Sequence, residues 1–161
     1  MNSINVDILN NVIMRYKSSA AGAGAPDKPV KIVTPLERVR EYFKTECVEN
    51  ETLGEEDAFI NDSPESRAER LKQIQSDAER VCHEAILDYD KMINKRSNDI
   101  INYVNLGYIT SKGNAEVDIA NYKLEKDYVN TKYLQPLNNP DADIYAGYKR
   151  GFEKGIIKKE K

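Results

Sequence analysis

Residues 64–106 read PESRAERLKQIQSDAERVCHEAILDYDKMINKRSNDIINYVNL, and the phase of their apolar side chains decides the fold. At about 100° per residue, Leu71, Ile74, Ala78, Val81, Cys82, Ala85, Tyr89, Met92, Ile93, Ile100 and Tyr103 share roughly one third of a helical wheel, in one unbroken register. Only Arg96 intrudes. Ser63 can cap the start, Pro64 suits the first turn, and Gly107 stops the helix. Unbroken, it would run roughly 60 Å at 1.5 Å per residue. A compact globule of this size spans only about 40 Å, from a radius of gyration near 15 Å. Either the polar run at 94–98 bends the helix or the molecule is elongated, and the continuous register favours elongation. Such a stripe stays uncovered unless a second helix runs alongside.

The next segment supplies that helix. Ser111-Lys112-Gly113 reads as a turn, Asn114 as a cap, and Pro136 closes a helix spanning 114–134. One of its faces carries Val117, Ala120, Leu124, Tyr128 and Thr131; the opposite face carries Ile119, Tyr122, Val129 and Tyr133. A helix apolar on two faces is either sandwiched within its own domain or offers one face to a partner. Tyr suits the second role, because its ring buries while its hydroxyl stays wet. Beyond Pro140 the tail repeats every four residues: Gly147-Tyr148, Gly151-Phe152, Gly155-Ile156. In a short helix this sets a glycine stripe beside an apolar one. Each Gly costs ~1 kcal/mol of helix stability relative to Ala, so something is expected to pack on it.

Upstream, Thr34-Pro35-Leu36-Glu37 is a strong helix start, with Thr34 as cap and Glu37 completing a capping box. This helix carries Leu36, Val39, Tyr42 and Phe43 and fades near Val48. Residues 45–66 then hold eight acids (Glu46, Glu49, Glu51, Glu55, Glu56, Asp57, Asp62 and Glu65) and no base. They read as a solvated acidic loop pinned at Leu53, Phe59 and Ile60, or as a patch for a basic partner or a cation. The far end is its complement, with six bases against two acids from Lys149 to Lys161. Before all this, residues 3–17 place Val6, Leu9, Val12, Ile13 and Tyr16 on one stripe. A helix that short must dock on something. It hangs on a spacer, SSAAGAGA over 18–25 followed by Pro26 and Pro29, that buries nothing.

Composition closes off most chemistry. The 161 residues include one His, two Cys and no Trp, with a net charge of -3. One histidine excludes metal sites and relays that need two; two cysteines exclude a disulfide framework. Cys82 and His83 are helix neighbours about 100° apart, so the thiol joins the apolar stripe while the imidazole points to the polar side. Cys47 lies near acids, which raise a thiol pKa. Residues 139–153 superficially suggest a calcium loop. Counted from Asp141, the fifth place is Tyr145, the sixth Ala146 and the twelfth Phe152, so the pattern fails, and Asp141 or Asp143 reads better as a helix cap. No phosphate-binding glycine loop or hydrolase signature occurs. Residues 1–17 lack a basic start followed by an apolar core and so do not read as a secretory signal, and no run approaches the ~20 apolar residues of a span. Unpaired thiols fit a reducing compartment, so the sequons at Asn50 and Asn61 count as chance.

The expectation is therefore an all-α, elongated helical hairpin or bundle. A central helix (about 64–106) pairs with helix 114–134, joined by an N-terminal docking helix and a short C-terminal one. The chain divides into an arm (1–17), a flexible linker (18–33), a core (34–136) with an acidic loop at 45–66, and a basic Gly-repeat tail (137–161). Functionally it reads as a non-enzymatic protein–protein interaction protein: a structural subunit, assembly factor or adaptor, cellular and cytoplasmic or part of a virion. Its partners would be proteins or further copies of itself, without cofactor, metal or membrane. The interface residues would be Leu9, Ile13, Tyr16, Tyr122, Val129, Tyr133, Tyr148 and Phe152. The rival is a nucleic-acid-binding regulator using the basic tail, its acidic loop a mimic or autoinhibitor.

Overall fold

A computed structural model describes residues 33–160, which contain five α-helices and no strand. They are α1 (Pro35–Tyr42), α2 (Thr52–Ile60), α3 (Pro64–Leu106), α4 (Ile109–Tyr128) and α5 (Ala146–Glu160). Wider π-helical turns continue α1 through Phe43–Val48 and α4 through Val129–Leu134, and two 3-10 turns, Gln135–Asn138 and Asp143–Tyr145, lead into α5. The class is all-α. The arm and nearly all of the linker, with Leu9, Ile13 and Tyr16, lie outside the described residues.

The expected start signals are in place. Thr34 Oγ1 accepts from the Glu37 amide at 3.1 Å, and Ser63 Oγ from the Ser66 amide at 3.1 Å. The central helix runs 43 residues without a break at the polar run. It ends at Gly107, the one described residue with positive φ, at 75°. Tyr108 N–H reaches the Tyr103 carbonyl at 2.9 Å and Gly107 N–H the Val104 carbonyl at 3.2 Å. This is a Schellman closure, in which a left-handed glycine ends one helix and redirects the chain.

Two expectations need correction. The helix after the turn begins at Ile109, not Asn114, because Gly107 completes the reversal and Lys112 N–H already bonds the Tyr108 carbonyl at 3.0 Å. Ser111, Lys112 and Gly113 thus lie inside α4. The acidic run is not a loop either: Thr52–Ile60 is helical, and it is held at Gly54, Asp57 and Ala58. Phe59 and Ile60, expected to pin it, are 53% and 75% exposed.

Among the described residues the chain forms two compact units. The first comprises 33–37 and 85–130. Here the second half of α3 and α4 form a hairpin around Leu36, Ala85, Tyr89, Ala115, Tyr122 and Val129, all buried. Arg96, the intruder in the stripe, bridges Asp99 on its own helix and Asp118 on α4, each at 2.9 Å. Lys126 meets Asp90 at 2.6 Å. The second unit comprises 38–84 and 131–160. Its core is Val39, Phe43, Cys47, Ala58, Ala78, Cys82, Leu137, Ile144, Tyr145 and Tyr148.

Candidate functional site

The two charged segments that looked like separate binding sites meet each other. Helices α2 and α5 run side by side in the same direction, close enough that backbone touches backbone. A Cβ on Gly151 would lie 2.0 Å from the Glu51 carbonyl oxygen, and one on Gly54 would lie 2.1 Å from the Tyr148 carbonyl oxygen. Gly147 faces the carbonyls of Cys47 and Asn50 in the same way, and Gly155 faces Ala58 and Glu55. Only residues without a side chain allow this approach, so the four-residue glycine repeat is read by a helix of its own chain.

Charge lines the edges of this contact. Glu51 receives Arg150 at 2.8 Å and Lys154 at 2.6 Å. Lys158 reaches Glu55 at 3.3 Å, and Lys159 reaches Asp62 at 2.9 Å. Hydrogen bonds from Lys154 and Arg150 hold the Glu51 carboxyl below its ordinary range, and Lys159 does the same for Asp62. All these groups are partly exposed, so each pair adds little stability alone; together they fix the register of α5 on α2.

Beneath this edge sits a buried polar centre. Asp57, 4% exposed, accepts from the Tyr148 hydroxyl at 2.9 Å and from Arg70 Nε at 2.9 Å and Nη2 at 3.3 Å. Burial, and then the bond to Asp57, pushes the Tyr148 hydroxyl pKa up, so it stays a donor. Asp57 and Arg70 line an open polar cleft of about 420 Å³ together with Asn61, Glu65, Ser66, Glu69 and Gln73. With three donors on its two oxygens, Asp57 is committed to holding α2, α3 and α5 together and is poorly placed to act as a base.

The nucleophile candidates are equally occupied by structure. Cys82 is 0% exposed while His83 is exposed, as their wheel positions require. Cys47 is buried, and burial first, then the charge of Glu46, pushes its thiol pKa up to about 12; burial does the same for Cys82. Asp141 and Asp143 are exposed. The turn before α5 is closed instead by Asn139, whose side chain accepts from the Asp141 amide at 3.0 Å. Among the described residues no group of three potential metal ligands comes together.

One titratable group went unnoticed in the sequence. Glu125, in α4, is 0% exposed. Its Oε1 accepts from the Tyr89 hydroxyl at 2.6 Å, and that hydroxyl accepts from the Leu36 amide at 2.9 Å, tying the start of α1 to the hairpin. Among the described residues Glu125 Oε2 has no hydrogen-bond partner. Burial pushes this carboxyl pKa up, opposed by the bond from Tyr89. Sealed from solvent, it acts on the fold rather than on a ligand.

The expected interface residues within the described chain all have neighbours in it. Tyr122 and Val129 are 4% and 0% exposed inside the hairpin. Tyr133 stands edge-on to Phe43 with ring centroids 4.9 Å apart. Tyr148 is bound to Asp57, and the half-buried Phe152 carries the Arg67 guanidinium 5.0 Å from its ring centre. The apolar residues that do face solvent are different ones. Ile101, Val104, Leu106, Tyr108 and Ile109, at the closed end of the hairpin, are 53–83% exposed. Val117 and Leu124, on the outer face of α4, are also exposed, at 45% and 46%. No family model, curated protein or solved structure matches this chain.

Proposed function

We propose that the chain is a non-enzymatic, helical protein–protein interaction protein, a structural subunit, assembly factor or adaptor, that engages its partner through the closed end of the α3–α4 hairpin. The observation that supports this reading is the concentration of Ile101, Val104, Leu106, Tyr108 and Ile109, each at least 53% exposed, around one glycine turn. Exposed apolar side chains gathered in one place mark docking surfaces, since each loses hydration cost only when something covers it. No helix among the described residues is long and apolar enough to cross a membrane, so these residues do not belong to a span.

The nucleic-acid reading has less to stand on. Arg150, Lys154, Lys158 and Lys159 each face an acid of α2 or its flank, and a phosphate backbone would have to displace Glu51, Glu55 and Asp62. A photo-crosslinking residue placed in producing cells at Ile101, Val104 or Tyr108, with Lys91 as an exposed control, tests the interaction reading. A discrete protein adduct from the hairpin end and none from position 91 is expected. Equal or absent labelling at all four positions would refute the proposal.

A further inference from the structure

The outer face of α4 carries a pattern that fits itself. Gly113, Val117, Ala120 and Leu124 are all exposed. At about 100° per residue they fall within roughly 60° of one another, diametrically opposite the buried Ala115, Tyr122 and Val129. Their spacing of four, three and four residues is that of a coiled-coil seam. Sizes alternate along it: glycine, valine, alanine, leucine. Nothing lies within 4 Å of where a Cβ on Gly113 would sit. Two charges flank the same side of the seam, Glu116 and Lys123, both exposed. Among the described residues Glu116 makes a loose pair within the helix, to Lys112 at 3.9 Å, which leaves its carboxylate available.

We propose that a second copy of this chain docks antiparallel along this face, about a two-fold axis crossing α4 between Val117 and Ala120. In that register the large residues meet the small ones. Leu124 lies over Gly113 of the second copy, Val117 over its Ala120, and the symmetry operation repeats both contacts. On the flank, Glu116 comes beside Lys123 of the second copy and Lys123 beside its Glu116, the pairing that antiparallel seams make between like heptad positions. Sliding the copies by one heptad in one direction sets Glu116 against Glu116; sliding in the other sets Lys123 against Lys123 and Val117 against Asp127. A parallel pairing stacks Leu124 on Leu124 and gives neither charge an opposite. One arrangement therefore satisfies size and charge together, and its partner is the chain itself. Of the hairpin-end residues Ile109 adjoins this seam, one turn before Gly113, while Ile101, Val104, Leu106 and Tyr108 lie outside it, so the two readings are tested separately.

Charge reversal in the full-length protein tests this, read by sedimentation or light scattering over a concentration series. The wild type is expected to dimerise and to dissociate on dilution. Glu116→Lys and Lys123→Glu each convert two attractive contacts per dimer into two repulsive ones, weakening dimerisation by roughly tenfold or more. An equimolar mixture of the two variants is expected to dimerise again, because each supplies the charge the other lacks. The double variant Glu116→Lys/Lys123→Glu is expected to dimerise like the wild type. Circular dichroism on each single variant establishes that α4 remains helical. A wild type that stays monomeric throughout, single variants that dimerise undiminished, or a mixture that stays monomeric would each overturn the proposal. Crosslinking at Tyr108 is insensitive to these substitutions, so failure here leaves the hairpin-end reading intact.

Discussion

Replacing Gly151 by alanine adds a single methyl group at the point where α5 touches α2. That carbon would lie 2.0 Å from the Glu51 carbonyl oxygen, 2.8 Å from its carbonyl carbon and 3.0 Å from its Cα. All three are backbone atoms, so no side chain can swing aside. Ordinary carbon contacts lie at about 3.5–4.0 Å, so α5 must shift by roughly 1.5 Å. Overpacking of this kind costs ~1–3 kcal/mol, and a shift that large also forfeits dispersion along the rest of the contact. Alanine returns ~1 kcal/mol of helix propensity. The expected net loss is about 1–2 kcal/mol, or about 2–8 °C in Tm for a chain of this size. Gly113→Ala is the matched control: it makes the same propensity change on an exposed helix face with nothing within 4 Å. Measured by thermal and urea unfolding at concentrations low enough to avoid association, it should be neutral or more stable by ~0.5–1 kcal/mol. If Gly151→Ala proves as stable as Gly113→Ala, α2 and α5 do not make the close contact and the glycine repeat has another purpose.

The buried pair beneath that contact predicts an asymmetry: Arg70→Ala leaves Asp57 with only Tyr148 as a side-chain donor and should cost about 3 kcal/mol. Tyr148→Phe keeps the ion pair and should cost about 1 kcal/mol in urea titrations; equal losses would count against an ion pair at the centre. Glu125→Gln tests the buried carboxyl through pH. Because burial raises its native pKa, the wild type binds the proton more tightly than the unfolded chain does. Its stability relative to the glutamine variant is thus fullest below the unfolded value of about 4.3 and declines as pH rises towards the native pKa. Parallel urea curves between pH 4 and 8, offset by a constant, would contradict a buried Glu125. Finally, Cys47 and Cys82 are both buried with thiol pKa values near 12. At pH 8, iodoacetamide followed by mass spectrometry should label them slowly in the native protein and quickly in urea; rapid native labelling would place them at the surface.

The all-α class and most helix ends were legible because they rest on local rules. Thr34, Ser63 and Gly107 act through backbone groups within a few residues of themselves, and the stripe from Leu71 to Tyr103 needs only a wheel. What remained hidden depends on partners distant in sequence. Acidity suggested that residues 52–60 were solvated, and nothing nearby reveals that Gly54 and Ala58 face a glycine ridge almost a hundred positions later. The inner face of α4 was obscured by its polar members. Asn121 and Glu125 are buried beside Tyr122, so counting apolar residues could not separate the two faces. Side-chain volume offered a better signal, since the outer face carries the small Gly113 and Ala120 between charges, while the inner one carries the bulk of Tyr122. The tyrosines drew attention as interface residues because their hydroxyls tolerate water. In this chain the hydroxyl of Tyr148, one of those residues, instead donates to the buried Asp57, as that of Tyr89 donates to Oε1 of Glu125.

The pairing of α2 with α5 also sets an order of events during synthesis. Glu51 and Arg150 are 99 residues apart, so at translation speeds of about 5–20 residues per second the acidic helix waits roughly 5–20 s for its basic partner. Throughout that interval the Gly54 edge and the carboxylate of Asp57 lack the helix that covers them, whereas the α3–α4 hairpin can close from neighbouring sequence. The second unit is therefore the late-folding part of the molecule, dominated by contacts of long sequence separation. It is the part whose nascent form a chaperone would meet, and the part that a premature stop after Pro140 would leave without its closing helix.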